Sequence, residues 1–173
     1  MALEKDLSGS VAGVRALFGA AACSCALVDD EGSALTYVAA DGEGSREILG
    51  VVLPIGRGIA GWAAMSGQPI AVRDVRADPR FARDVAESTH YIPTALLAAP
   101  MFDAQGEVLG VLSVLDPVVD ESSDWTLAVL GTLASQVAAL VVAVRRAPRA
   151  AADASRLEAL GRRVLEAVED YER

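Results

Sequence analysis

Apolar and polar positions alternate between two periods along this chain, and the changes of period mark its elements. Leu7, Val11, Val14, Leu17 and Phe18 recur at three and four residues, which predicts a helix over residues 3–21. The period then shortens. CSCALVDDEG, 23–32, and ALTYVAADG, 34–42, are apolar runs separated by Asp-Glu-Gly, the mark of a hairpin. ILGVVLP, 48–54, predicts a strand or extended segment, 58–66 a short helix, and PIAVR, 69–73, another strand.

Residues 74–91 are mostly polar. Within them Asp78-Pro79 predicts a helix start, with Asp as the cap and Pro in the first turn, and Phe81 and Val85 lie four apart on one face. TALLAAPMF, 94–102, and EVLGVLSVLD, 107–116, predict two strands joined by the turn at 103–106. An apolar helix over about 123–146 follows, with Pro148 expected to end it and a last helical segment over 150–172. Short links between neighbouring strands imply an antiparallel sheet, so the expected class is α+β.

Gly56-Arg57-Gly58-Ile59-Ala60-Gly61 reads as G-x-G-x-x-G between two apolar runs, with Asp74 further on. A dinucleotide site needs that motif inside a βαβ unit of about 30 residues. Between Gly56 and Gly67 there is room for little more than two helical turns, and the rest of the chain does not repeat βαβ. The glycines are therefore assigned to backbone geometry and close packing of a short helix.

Composition narrows the function classes. Of 173 residues, 53% are apolar, enough for a large core. The net charge of −9 divides into −10 over residues 1–144 and +1 over 145–173. An acidic body argues against nucleic-acid binding. Residues 125–144 carry no charge and match a bilayer span in length, but their Ala, Gly, Ser, Thr and Gln content favours a helix buried by protein, so no membrane partner is expected. The start lacks the pattern of a secretory signal, and the expected location is cytoplasmic. The two cysteines, Cys23 and Cys25, are expected to point to opposite faces of a strand and not to bridge.

The phrases GIAGWAAMSGQP, DVRADPRF, TALLAAPM and GEVLGVLSVLD, in that order before a long apolar helix, resemble a GAF domain over about residues 8–146. The resemblance implies a GAF-like fold: a central antiparallel five- or six-stranded sheet, terminal helices on one face, and a small-molecule pocket on the other under a lid at 74–91. It divides the chain into a GAF-like domain, 1–146, and a C-terminal helical extension, 147–173. It implies a sensing or regulatory role in signal transduction rather than an enzyme, with a regulatory protein as a possible partner. Members of the family bind diverse ligands, so cofactor and ligand identity stay open.

The ligand-contact candidates are Trp62, Asp74, Phe81, Tyr91, Leu97 and Ser113, an aromatic wall with few polar groups. Arg57, Arg73, Arg76, Arg80 and Arg83 suit an anionic ligand, or pairing with Asp74, Asp78, Asp84 and Glu87, and the interleaved signs favour pairing. His90, the single histidine, has no second titratable partner and is expected at the surface or in packing rather than as a haem ligand. Free methionine sulfoxide reductases share the fold but need cysteines around the pocket, and here both lie on the first strand. The alternative function is a ligand-free scaffold for dimerisation or docking. Apolar residues on more than one face of 125–144 predict a homodimer through the terminal helices. In the tail, Leu157, Leu160, Val164, Ala167 and Tyr171 form about two heptads.

Overall fold

A computed structural model describes residues 2–119 and 123–171. The elements are α1 (Ala2–Phe18), β1 (Ala22–Val28), β2 (Ala34–Gly42), α2 (Ser45–Ile48), β3 (Val52–Pro54), α3 (Gly58–Ser66), β4 (Ile70–Val72), α4 (Arg83–Ser88), β5 (Leu96–Phe102), β6 (Val108–Leu115) and α5 (Asp124–Tyr171). Six strands form one sheet in the order β3-β2-β1-β6-β5-β4, and every pairing is antiparallel. The centre of the sheet joins β1 to β6, strands far apart in sequence, so sheet closure depends on the chain returning after the lid.

The alternation of a strand divides the core into two layers. Cys23, Cys25, Leu97, Met101, Leu112 and Val114 face α1 and α5, where they meet Leu7, Val11, Val14, Leu130, Ala134 and Val141. Ala26, Leu96, Ala98 and Val111 face the opposite side, against Ile59, Ala60 and Ala63 of α3 and Val75. The helix α3 sits close because its inner face is Gly and Ala. A Cβ on Gly61 would lie 2.8 Å from the Pro54 carbonyl oxygen, and Gly58 has φ +68°, with Ala82 Cβ 3.2 Å and Leu53 Cδ2 3.3 Å from where a Cβ would sit. The glycine motif therefore serves backbone geometry and packing.

Four expectations need correction. First, Cys23 and Cys25 point the same way, into the helix-facing core. Residues i and i+2 on a strand share a face, and their common exposure of 0% follows. Second, Asp78 does not cap a helix. Its carboxylate accepts the Arg80 backbone N–H at 2.9 Å and the Arg80 guanidinium at 2.6–2.9 Å, an Asx-type turn, and α4 starts only at Arg83. Third, the run 48–54 opens with the end of a one-turn helix, α2, and only Val52–Pro54 pairs as strand. Gly44, at φ +66°, sits against Thr89 and allows that turn.

Fourth, Pro148 does not end the last helix. α5 runs without interruption from Asp124 to Tyr171, 48 residues. Proline removes one helical hydrogen bond and crowds the preceding turn. It is flanked here by strong helix formers, Ala and Arg, which propagate the helix through it. Positions 124–146 of α5 are long and apolar enough to cross a membrane, with mean hydropathy 2.2. Leu130, Ala134, Val137, Ala138 and Val141 along that stretch are buried against the sheet and α1. The tail beyond it stands clear, with Leu157 71% and Leu160 54% exposed.

Candidate functional site

On the face of the sheet away from α1 and α5 lies a cavity of about 100 Å³. Its floor is Ser24 of β1, Tyr37 and Ala40 of β2, and Ser113 and Leu115 of β6. The first turn of α3, Gly58–Ala60, forms one wall. Phe81, Val85, Ala86, Thr89 and Tyr91 of the lid form the roof, and Glu43, Gly44, Ser45 and Ile48 form the rim. The lining is mostly apolar, with a few hydroxyl groups.

The lid is tied down at both ends. Asp116 accepts the Thr94 and Ala95 backbone N–H groups at 2.8 Å each, and the Tyr91 hydroxyl donates to the same carboxylate. Burial, reinforced by this hydrogen bond and by the charges of Asp116 and Glu43, holds the Tyr91 phenol above its ordinary range. At the α4 end, Arg57 pairs with Asp84 at 2.5 Å. Arg80 pairs with Asp78 and lies 5.6 Å from the Trp62 ring centroid, a cation–π contact. The Arg80 hydrogen bonds lower the Asp78 pKa, and the Arg57 hydrogen bond lowers that of Asp84. Arg73 also has a partner. None of the five clustered arginines lines the cavity.

Of the six candidate contacts, Phe81, Tyr91 and Ser113 line the cavity together. Trp62, 38% exposed, points outward from α3 beneath Arg80. Asp74 holds a turn, accepting the Arg76 backbone N–H at 3.1 Å. Leu97 is on the helix-facing side, opposite Val114, whereas Ser113 pairs with Ala98. Parity along the hairpin decides this, because directly paired residues share a face.

Sequence reasoning missed Ser24, Tyr37, Thr89, Glu43 and α2. Ser24 carried a signal: it is the single hydroxyl in the apolar strand 22–28, and it pairs directly with Ser113. Both serines are buried, at 8% and 4% exposure, and neither hydroxyl hydrogen-bonds another described residue. Both line the cavity, so their unmet hydrogen-bonding capacity is directed there. The Tyr37 phenol is pushed up to about 12 by burial. His90 has φ +57° and is exposed outside the cavity lining, and no group of three metal-binding side chains occurs among the described residues.

The thiols are poorly placed for chemistry. Burial pushes Cys25 up to about 12 and Cys23 higher still, so both stay protonated at neutral pH, whereas the reactive form is the thiolate. In the folded protein at pH 8, iodoacetamide is expected to modify neither thiol over a time in which it labels both in urea. Rapid alkylation of the native protein, read by intact mass, would contradict this placement.

A curled antiparallel sheet with core helices on one face and a lidded cavity on the other defines a class of α+β domains. Comparison with known proteins makes the assignment specific: a sequence model of the GAF domain matches residues 3–141. The chain belongs to the GAF domain family, regulatory modules that bind small molecules in signalling proteins. It is similar to the dual 3′,5′-cyclic-AMP and -GMP phosphodiesterase 11 of Drosophila melanogaster, 39% identical over 66 residues, which are 38% of this chain and 4% of that protein. Among solved structures it resembles the GAF domain of a phosphoenolpyruvate-protein phosphotransferase from Coxiella burnetii, with TM-score 0.74, 24% identity, and coverage of 85% of this chain and 86% of that one. It also resembles free methionine-R-sulfoxide reductase from Neisseria meningitidis, with TM-score 0.69, 23% identity, and coverage of 84% and 81%. These structural likenesses describe the fold.

Proposed function

We propose that this GAF domain senses a small molecule held under the 74–91 lid, and that occupancy is coupled to the terminal helices of a homodimer. The observation that carries this reading is the cavity with Ser24 and Ser113 unpartnered on its floor. No fully buried side-chain oxygen among the described residues lacks a partner, so these two hydroxyls open on the cavity and present donors and acceptors to whatever occupies it. Phe81, Tyr91 and Ser113 are the proposed contacts among the original candidates. Trp62 and Asp74 support the lid, and Leu97 belongs to the layer that responds.

The coupling route is short. The strands that floor the cavity carry α1 and α5 on their reverse side, one residue away in register. Arg15 of α1 also pairs with Asp41, two residues before the rim residue Glu43. A ligand shifts the helices only by binding one arrangement more tightly than the other. The cytoplasm is the proposed location, and a regulatory protein is the proposed recipient of the signal.

Size bears on the ligand. Sites for drug-sized molecules enclose about 300–1,000 Å³. A cavity of about 100 Å³ is closed to a cyclic nucleotide unless the lid opens, so the phosphodiesterase likeness does not transfer its ligand. The buried, protonated thiols weigh against sulfoxide reduction.

A second reading, a ligand-free scaffold for dimerisation or docking, draws on the groove between α1 and α5 formed by Gly13, Val14, Leu17, Leu133 and Val137. Native mass spectrometry of the freshly purified protein, followed by thermal shift against a small-metabolite set, separates the two. The sensor reading expects a dimer, and either a retained small mass or a compound that raises the melting temperature. A ligand at one hundred times its Kd adds about 2.7 kcal/mol to stability. A dimer at bare mass that no compound stabilises would favour the scaffold. A bare monomer would overturn the dimer coupling.

A further inference from the structure

The charges around the cavity have a polarity that the five-arginine cluster hides. Glu43 is the single fully charged side chain in the lining, and neither Lys, Arg nor His contributes to it. Glu43 lies close enough to Tyr91 for its charge to oppose ionisation of that phenol. Asp116 is the hydrogen-bond acceptor of the same hydroxyl. Arg46, within the rim segment, and Arg15, which pairs with Asp41 two residues before it, do not line the cavity.

One feature opposes this polarity. The first turn of α3 borders the cavity, and a helix N-terminus carries roughly half a positive charge. That turn attracts a lone pair, and it is weaker than a full carboxylate. The hydroxyls of Ser24 and Ser113, which open on the cavity, donate or accept equally well, so they do not set the sign. They present hydrogen-bonding groups to the polar atoms of a ligand or of water.

We infer that the cavity selects a compact ligand with an apolar body of about one ring and a protonated amine, the amine lying at the rim between Glu43 and Tyr91. The inference rests on the reading of this cavity as a ligand site. Size caps the body at one ring: an apolar cavity of about 150 Å³ takes benzene, and this one, at about 100 Å³, admits a ring only as the lid gives outward. Phosphate-bearing ligands are disfavoured, because an anion at this rim would meet Glu43 without a compensating cation.

Three probes of matched shape test it: benzylamine, benzyl alcohol and benzoate, titrated into isotope-labelled protein and followed through the backbone amides of β1, β6 and the lid. At pH 7 the expected order is benzylamine, benzyl alcohol, benzoate, with about fivefold or more between the first and last, the scale of one solvent-exposed ion pair. Glu43→Gln should bring benzylamine down to the affinity of benzyl alcohol. Glu43 is exposed, so the variant should fold as the parent does.

Benzoate binding as tightly as benzylamine would overturn the inference and assign the polarity to α3, leaving the sensor reading intact. An amine preference that survives Glu43→Gln would overturn the role of Glu43. No response of the β1, β6 and lid amides to any probe would overturn the inference together with the ligand site itself.

Discussion

Leu97→Ala should lower the melting temperature by roughly 10 °C while leaving the cavity's ligand response unchanged. Leu97 is fully buried in the layer between sheet and helices, opposite Val114, on the strand against which α5 packs. Truncating a buried leucine costs about 2–5 kcal/mol, as lost transfer energy plus the cavity left behind. In a domain of this size each kcal/mol moves the midpoint by about 2–4 °C. Differential scanning calorimetry measures the first part. Titration of any compound found to bind, or of benzylamine, measures the second. A loss of binding with the fold intact would place Leu97 in the ligand's environment and contradict the two-layer division.

Gly110→Ala should be at least as damaging, although it adds a single methyl. Gly110 sits on β6 between Leu27 and Met101. A Cβ there would lie 2.2 Å from the Ala26 carbonyl oxygen, 3.1 Å from Leu27 Cα and 2.7 Å from Met101 Cε. The methionine end can move, but the Ala26 and Leu27 backbone belongs to the central β1–β6 ladder. Overpacking typically costs about 1–3 kcal/mol, and separating two central strands falls at the upper end or beyond. The expected result is a drop of about 3 kcal/mol in urea unfolding, or failure to accumulate as soluble protein. A variant with parental stability would mean that β1 and β6 do not approach as described.

Apart from the 48–54 segment, the strands, the hairpin turns and the antiparallel class were legible in the sequence because each depends on local pattern. Alternation over 94–102 and 107–116, with a polar turn between, has few other solutions. Which side chains enter the cavity was less legible, because that depends on register and not on residue type. Leu97 and Ser113 belong to adjacent strands and were grouped together, yet the pairing of Leu97 with Val114 puts them on opposite faces. Ser113 pairs with Ser24, a contact between strands that are close in space and far apart in the chain, and no local window contains both.

The lid shows a different kind of loss. Asp78 has the chemistry of a helix cap, but Arg80 two residues on offers its carboxylate both a backbone and a guanidinium donor, and the turn prevails. Trp62 looked like a cavity wall because it is large and aromatic. The helix α3 buries its small residues and turns the indole outward to Arg80. The one-turn helix α2 was hidden because GEGSREI has no apolar periodicity, and the rim residue Glu43 was hidden with it.

The unbroken course of α5 has a mechanical meaning. A helix rises about 1.5 Å per residue, so the stretch from Ala147 to Tyr171 reaches roughly 37 Å past the part seated on the sheet. In the coupling proposed above it would act as a lever arm whose fulcrum is the row of small and branched residues from Leu130 to Val141. A tilt of about 5° at that fulcrum would sweep the tip by about 3 Å, a displacement larger than the pocket-side motion that starts it. Pro148 leaves one carbonyl of the arm without its helical hydrogen bond, close to the fulcrum, so the arm is softest in bending where bending is magnified most. Torque about the long axis, by contrast, passes through a continuous helix with little loss. In the coupling proposed above, this geometry would favour a rotary output over a lateral one.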